Sequence, residues 1–228
     1  LHLDPTYNNN GYRNLLYNKM LEEVKFFNCN LVHTSIYDHP NYSKYKKILI
    51  NNGFKLVQTN REYSCDIRKV DTIKYHPLIK KLESDGIKFY DSKKEMRDYS
   101  EKFPNHYKKL EELIWIYDQD MPIPEGIKHT RASFEQFMKY SLNFEENTYG
   151  VEIIAVFNRK YIGSTDIKVY SNEPHKGWTG GLGVLKEYRR KGIATALKIK
   201  AIEKLLKTGV AEIRTDNEEN NPMYKINV

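Results

Sequence analysis

The residues best suited to do chemistry lie in one short run, Arg189-Arg190-Lys191-Gly192-Ile193-Ala194-Thr195. It follows a short apolar stretch and opens a helical period. The first N–H groups of a helix have no partner within it, and the helix dipole adds roughly half a positive charge there. Together they make a seat for a phosphate. Gly192 would let the backbone come close to the anion, and Ala194 keeps the first turn free of bulk. Arg189, Arg190 and Lys191 add charge, and arginine can clamp a phosphate through two hydrogen bonds. The plainer reading is a tight strand-to-helix turn with a basic edge. No Walker pattern and no G-x-G-x-x-G is present, which disfavours nucleotide hydrolysis and dinucleotide binding.

The elements around this loop can be read from periodicity. Gly180–Leu185 is expected to be the strand that enters it, with Gly180-Gly181 marking a bulge or a close backbone approach. In the helix that leaves it, Leu197, Ala201 and Leu205 form one inner row and Ile199, Ile202 and Leu206 the next. Lys198, Lys200, Glu203, Lys204 and Lys207 are assigned to the wet side. A strand over Ala211–Thr215 and a last helix from Pro222 should follow. Upstream, the pattern predicts a strand at Ile87–Tyr90 and a helix over Asn105–Tyr117. Ser133-x-x-Gln136 reads as a capping box, and Val151–Phe157 with Tyr161–Tyr170 as a hairpin. Earlier still come a helix carrying Leu16, Met20, Val24 and Phe27, a strand at Leu31–Ile36 and a helix over Tyr42–Asn51 stopped by Asn52-Gly53. Strands at Phe54–Val57 and Tyr63–Ile67 complete that region. The expected fold class is α+β, a mixed and largely antiparallel sheet flanked by helices.

Two stretches resemble each other. Tyr7, Gly11 and Leu16 match Tyr188, Gly192 and Leu197, each set running through a glycine loop into a helix. The first copy has Asn8 where the second has Arg189, and Arg13 where the second has Ala194.

Composition narrows the rest. The chain has 228 residues, 39% of them hydrophobic and 13% aromatic, enough for a core. No apolar run approaches the roughly 18 residues that span a bilayer, so no membrane partner is expected. The net charge of +7 comes from 37 basic and 30 acidic residues scattered along the chain. A solvated basic surface is favoured over a nucleic-acid face. The two cysteines, Cys29 and Cys65, form no metal-binding spacing. A cytoplasmic setting with both thiols packed in cores is the expectation.

The loop Tyr188–Leu197 resembles the Gln/Arg-x-x-Gly-x-Gly/Ala signature of the GNAT acyltransferase superfamily. Residues 215–223 resemble a stretch of its members related to mycothiol synthase, and residues 87–227 follow the family's order of elements. The resemblance implies an α+β GNAT fold over residues 72–228, without its last strands. It implies that residues 1–71 are the C-terminal half of a degenerate GNAT-like unit of a tandem protein. Arg13 would crowd the seat in that first unit, which is expected not to bind acyl-CoA.

The implied activity is transfer of an acetyl group from acetyl-CoA, as co-substrate, to a primary amine in a ternary complex. A non-catalytic acyl-CoA-binding module is the alternative. By the resemblance, Leu182, Gly183 and Val184 offer backbone hydrogen bonds to the pantetheine arm, and Arg189 to Thr195 hold the pyrophosphate. Asn217 and Asn221 lie near that arm or cap the last helix. The family's acidic tyrosine falls at Asn227, one turn beyond Tyr224, which could reach inward instead. The family's basic glutamate falls at Trp178, which cannot serve. That leaves Glu152, Asp166 and Glu173 as candidates and Thr179 as a water holder. No metal is implied.

Overall fold

The computed structural model describes residues 10–96, 101–139 and 148–221. The chain divides into two compact units, residues 1–56 and 57–228.

The first unit carries helices α1 (Asn10–Phe26) and α2 (Ser43–Asn51). The glycine stop predicted for α2 is present. Gly53 has φ +85° and the Phe54 N–H reaches back to Leu49 O at 3.0 Å. The inner row of α1 differs from expectation. Tyr17 is the buried residue, packed edge-on against Phe54, whereas Leu16 and Phe27 are exposed. Residues 31–36 and 54–57 form no strand. Their apolar residues suit a pleated surface, but such a preference makes a strand only where a partner supplies the ladder.

The second unit is built on one six-stranded sheet in the order β1-β6-β5-β4-β3-β2. Its strands are β1 (Asn60–Asp66), β2 (Lys88–Asp91), β3 (Thr148–Phe157), β4 (Lys160–Tyr170), β5 (Lys176–Val184) and β6 (Glu212–Glu218). All neighbours are antiparallel except β5 and β6. That parallel pair is joined by helix α6 (Ile193–Leu206), because parallel neighbours need a crossover. The β3–β4 hairpin turns on Asn158 and Arg159, both with positive φ.

Alternation along the strands divides the core in two. Val151, Ile153 and Ala155 face a cluster that holds Leu197, Ala201 and Leu205 of α6 together with Ile79 and Leu82 of α3 (His76–Ser84). Ile154 and Val156 face the other way, onto Leu110, Leu113 and Tyr117 of α5 (His106–Asp118) and Met96, which follows the short α4 (Ser92–Glu95). The capping box is made: Gln136 N–H donates to Ser133 Oγ, and Ser133 N–H to Gln136 Oε1.

The strand predicted at Tyr63–Ile67 appears one turn earlier and in a different place. As β1 it pairs along its whole length with β6, Asn60 opposite Glu218 through Asp66 opposite Glu212. A strand read as part of the first unit is therefore an edge strand of the second unit's sheet. The first compact unit ends at residue 56.

Candidate functional site

The sheet is split on one side. β5 and β6 pair only at Lys176–Glu212, Gly177–Ile213 and Trp178–Arg214. Beyond these, β5 stays bonded to β4 as far as Val184 and β6 stays bonded to β1 as far as Glu218. A wedge therefore opens between the two strands from Thr179 and Thr215 onward. Its cause is local. Thr179 opposes Ile167 and Gly181 opposes Asp166, which leaves Gly180 as an extra, bulged residue. A bulge bends its strand and raises its twist. Side chains are excluded here for steric reasons: a Cβ on Gly180 would collide with the Asp166 carboxylate, and one on Gly183 with the Tyr117 ring.

The arms of the wedge carry unmet hydrogen-bonding capacity. Thr179 Oγ1 on β5 and Asn217 Nδ2 on β6 are buried without a partner among the described residues. A buried polar atom left unpaired costs about 1–3 kcal/mol, a cost that a ligand between the two strands could offset. Backbone groups add to them. The Leu185 N–H donates to Ile162 O across β4. Alternation then turns the N–H groups of Val184 and Leu182 toward the wedge. Gly183 differs from these two, since its missing side chain makes room for Tyr117.

The basic loop closes the wide end. Gly192, with φ +84°, is the N-cap of α6, and the first helical bond runs from Ala196 N–H to Gly192 O at 2.9 Å. The N–H groups of Ile193, Ala194 and Thr195 thus precede the ladder. Gly192 is also required by packing, because a Cβ there would stand 2.8 Å from Leu78 Cδ1. Arg189 has a different task from the one expected. Its Nε donates to Val184 O and its Nη2 to Asp120 Oδ2, both at 2.7 Å, so it braces the strand end. Lys186 and Arg189 hold the Asp120 carboxyl below the ordinary range. Arg190 and Lys191 remain exposed at the seat, Lys191 Nζ lying 5.5 Å from the Tyr188 ring centroid. Thr195 turns to a cavity of about 310 Å³ that it shares with Lys198, Cys65, Tyr63 and Thr215. Lys198 is therefore not on the wet side, and burial pushes its amine down to about 8. Cys65 is half-buried and Cys29 is exposed, so Cys29 is not a core residue.

On the α5 face of the sheet lies a group of carboxylates that the sequence left unresolved. Glu152 on β3 pairs in register with Asp166 on β4. Burial pushes Glu152 up to about 7, with the Asp166 charge adding to the shift. Burial also raises Asp166 and Asp118. Lys168 lies 3.6 Å from Asp166, and Tyr117 OH is 3.2 Å from Ser164 Oγ. Two half-buried carboxylates with raised pKa values can hold or move a proton near neutrality. Glu173 is different, paired with Lys176 in the turn before β5. Trp178 stands at the vertex under the Arg214 guanidinium, as an apolar wall. Tyr224 and Asn227 lie outside the described residues. Asn221, the last described residue, donates its N–H to Glu218 O. Among the described residues no group of His, Cys, Asp and Glu could hold a metal, and no helix is long and apolar enough to cross a membrane.

Comparison with known proteins bears on the fold. The structure resembles a tandem GNAT protein from the clavulanic acid biosynthesis pathway, with TM-score 0.64 and 16% identity over 100% of this chain and 68% of that one. It also resembles the glucosamine N-acetyltransferase region of a fungal multi-domain GH3 β-N-acetylglucosaminidase, with TM-score 0.66 and 15% identity over 99% and 27%. A third likeness is a GCN5-related N-acetyltransferase from Sphaerobacter thermophilus, with TM-score 0.60 and 13% identity over 96% and 62%. No curated protein matches. At these identities the likeness shows the fold. The acetyltransferase (GNAT) family model matches residues 110–227, more than half of the sequence. The chain belongs to the GNAT acetyltransferase family.

Proposed function

We propose that the second unit transfers an acetyl group from acetyl-CoA to a primary amine, with Glu152 as the general base. The observation that carries this reading is the wedge with its two unpartnered polar atoms, lying below a helix N-terminus that has free N–H groups. These residues fit acyl-CoA. Ile193, Ala194 and Thr195 N–H groups, aided by Arg190 and Lys191, would hold the pyrophosphate. The backbone of Leu182 and Val184, with Thr179 and Asn217, would hold the pantetheine arm. Bound there, the thioester supplies an activated acyl group. The protein's part is to orient: fixing amine and thioester in line is worth about 7–11 kcal/mol.

An amine attacks only when neutral. Glu152, raised toward neutrality, is suited to remove its proton, directly or through water, an effect worth about 10²–10⁴-fold. Asp166 beside it keeps Glu152 from ionising too early. Tyr224 remains the proposed acid for the departing thiolate, while Asn227, at the place of the family's tyrosine, has an amide that can donate a hydrogen bond to the thiolate but no proton. Residues 1–71 are proposed to descend from the C-terminal half of a degenerate GNAT-like unit, although their strand β1 joins the second unit's sheet. Arg13 lies 4.3 Å from the Tyr45 ring centroid there, a bulky cation at the position that Ala194 leaves open.

The test is turnover of acetyl-CoA across a panel of primary amines with the Glu152→Gln variant alongside. Glu152→Gln should lower kcat at pH 7 by about 10²–10⁴-fold while acetyl-CoA affinity stays within twofold. Binding without turnover on any amine would assign the chain as an acyl-CoA-binding module instead.

A further inference from the structure

Behind Glu152 runs a buried chain of hydrogen bonds that the reaction as described does not use. Ser92, at the start of α4, acts on the Glu152 carboxyl as a donor that draws its pKa down, against the larger upward push of burial. Its Oγ lies 2.9 Å from His106 Nε2, and His106 Nδ1 lies 3.0 Å from Tyr161 OH. Ser92, His106 and Tyr161 are 3%, 1% and 5% exposed, so these bonds do not compete with water. The three side chains come from three different elements, which also share the second apolar cluster. Ser92 follows β2, His106 opens α5, and Tyr161 opens β4.

Hydrogen counting ties the direction of the chain to the protonation state of Glu152. A serine has one hydrogen, and a neutral imidazole has one donor and one acceptor. If Nε2 carries the hydrogen, it donates to Ser92 Oγ, Tyr161 O–H donates to Nδ1, and the Ser92 hydrogen is left for Glu152. If Nδ1 carries it, Ser92 must donate to Nε2 and has no hydrogen for Glu152, which must then be protonated to keep the bond. Each tautomer of His106 thus matches one protonation state of Glu152. We infer that Ser92, His106 and Tyr161 are positioning residues, His106 acting through Ser92 to aim a donor at the Glu152 carboxylate and hold it ready as a base. The inference rests on the reading of Glu152 as the base only for its effect on catalysis.

Other charges face the same carboxyl: Asp166 and Lys168 from β4, Lys93 from α4 and, as a neutral phenol, Tyr117 from α5. They act on the carboxyl itself and are retained in every variant, so their influence should be common to all variants.

The experiment is a carbon-13 titration of the Glu152 side-chain carboxyl in the whole chain without substrate. Removing a donor to the charged form raises a carboxyl's pKa. Ser92→Ala should raise the Glu152 midpoint by about one pH unit, a tenfold change in proton affinity. His106→Leu should raise it in the same direction, although His106 does not touch Glu152. Ser92→Thr and His106→Gln, which keep a hydroxyl and an N–H donor, should leave it near the wild-type value. Tyr161→Phe provides a third variant at the far end of the chain, with a smaller rise. The acid limb of the kcat/KM–pH profile should move with the midpoint. A lowered Tm with an unmoved Glu152 midpoint in Ser92→Ala and Tyr161→Phe would overturn the inference and make the network merely structural. Full turnover by Glu152→Gln would instead remove the base reading and leave the titration result standing.

Discussion

Thr179 and Glu152 differ in how far the sequence could reveal them. Thr179 entered only as a candidate water holder, and its hydroxyl has no partner among the described residues. A buried hydroxyl without a partner gives nothing to stability, so Thr179→Val should leave Tm unchanged or slightly higher. If that hydroxyl serves a ligand, the same change should raise the KM for acetyl-CoA several-fold. Thermal melts and steady-state kinetics on one preparation check both halves. Glu152 looked like an ordinary charge because its significance depends on register. It meets Asp166 only across a hairpin whose pairing shifts between Ala155 and Val156. Its burial comes from α4 and α5, which no local pattern brings to β3. Arg189 shows the reverse error. Its type suggested a phosphate clamp, but Val184 O and Asp120 had already engaged it.

At the scale of elements, the order of strand β5, glycine loop and helix α6 was read correctly because its periods and glycines are local, but Lys198 lines a cavity and Leu206 is exposed, against the faces assigned to them. The bulge at Gly180-Gly181 followed from the same signal. The wedge itself was less legible: it depends on β6 leaving β5 to pair with β1, a partner 156 residues away in the Asn60–Asp216 hydrogen bond. Gly192 is a poor place to test the helix terminus, because its positive φ and Leu78 make any side chain there a folding problem. Ala194 is the better position. An acidic residue in the first turn is favourable to a helix, by about 0.3–1 kcal/mol, so Ala194→Glu should fold as well as the parent. It should nevertheless weaken acetyl-CoA binding at least tenfold by placing a carboxylate at the anion seat. Equal affinity in a binding titration would dissociate α6 from the cofactor.

For the whole molecule, the raised carboxyl has a consequence for stability. Glu152 titrates near 7 in the fold against an ordinary 4.5, so between those values the folded state keeps a proton that the unfolded chain has lost. Its contribution is therefore full below about pH 4.5 and is lost as pH rises toward 7. Asp166 shifts in the same direction. The groups held low, such as Asp120 and Glu111, lose their contribution only at lower pH and do not oppose this trend within the window. Denaturant titrations from pH 4.5 to 7 should show stability falling with pH, and the fall should be smaller in Glu152→Gln. An identical slope in that variant would place the proton elsewhere. At this scale the fold class was legible from the order of elements, while the role of β1 was not. A short strand announces its pleat but not the edge it will join.

The central claim is that the wedge and the N-terminus of α6 form the acyl-CoA site, with no second one in the repeat that carries Arg13. Calorimetric titration of acetyl-CoA into the whole chain tests it most directly. A saturable isotherm with one molecule bound per chain is expected. No heat of binding at millimolar acetyl-CoA, or two molecules per chain, would contradict it.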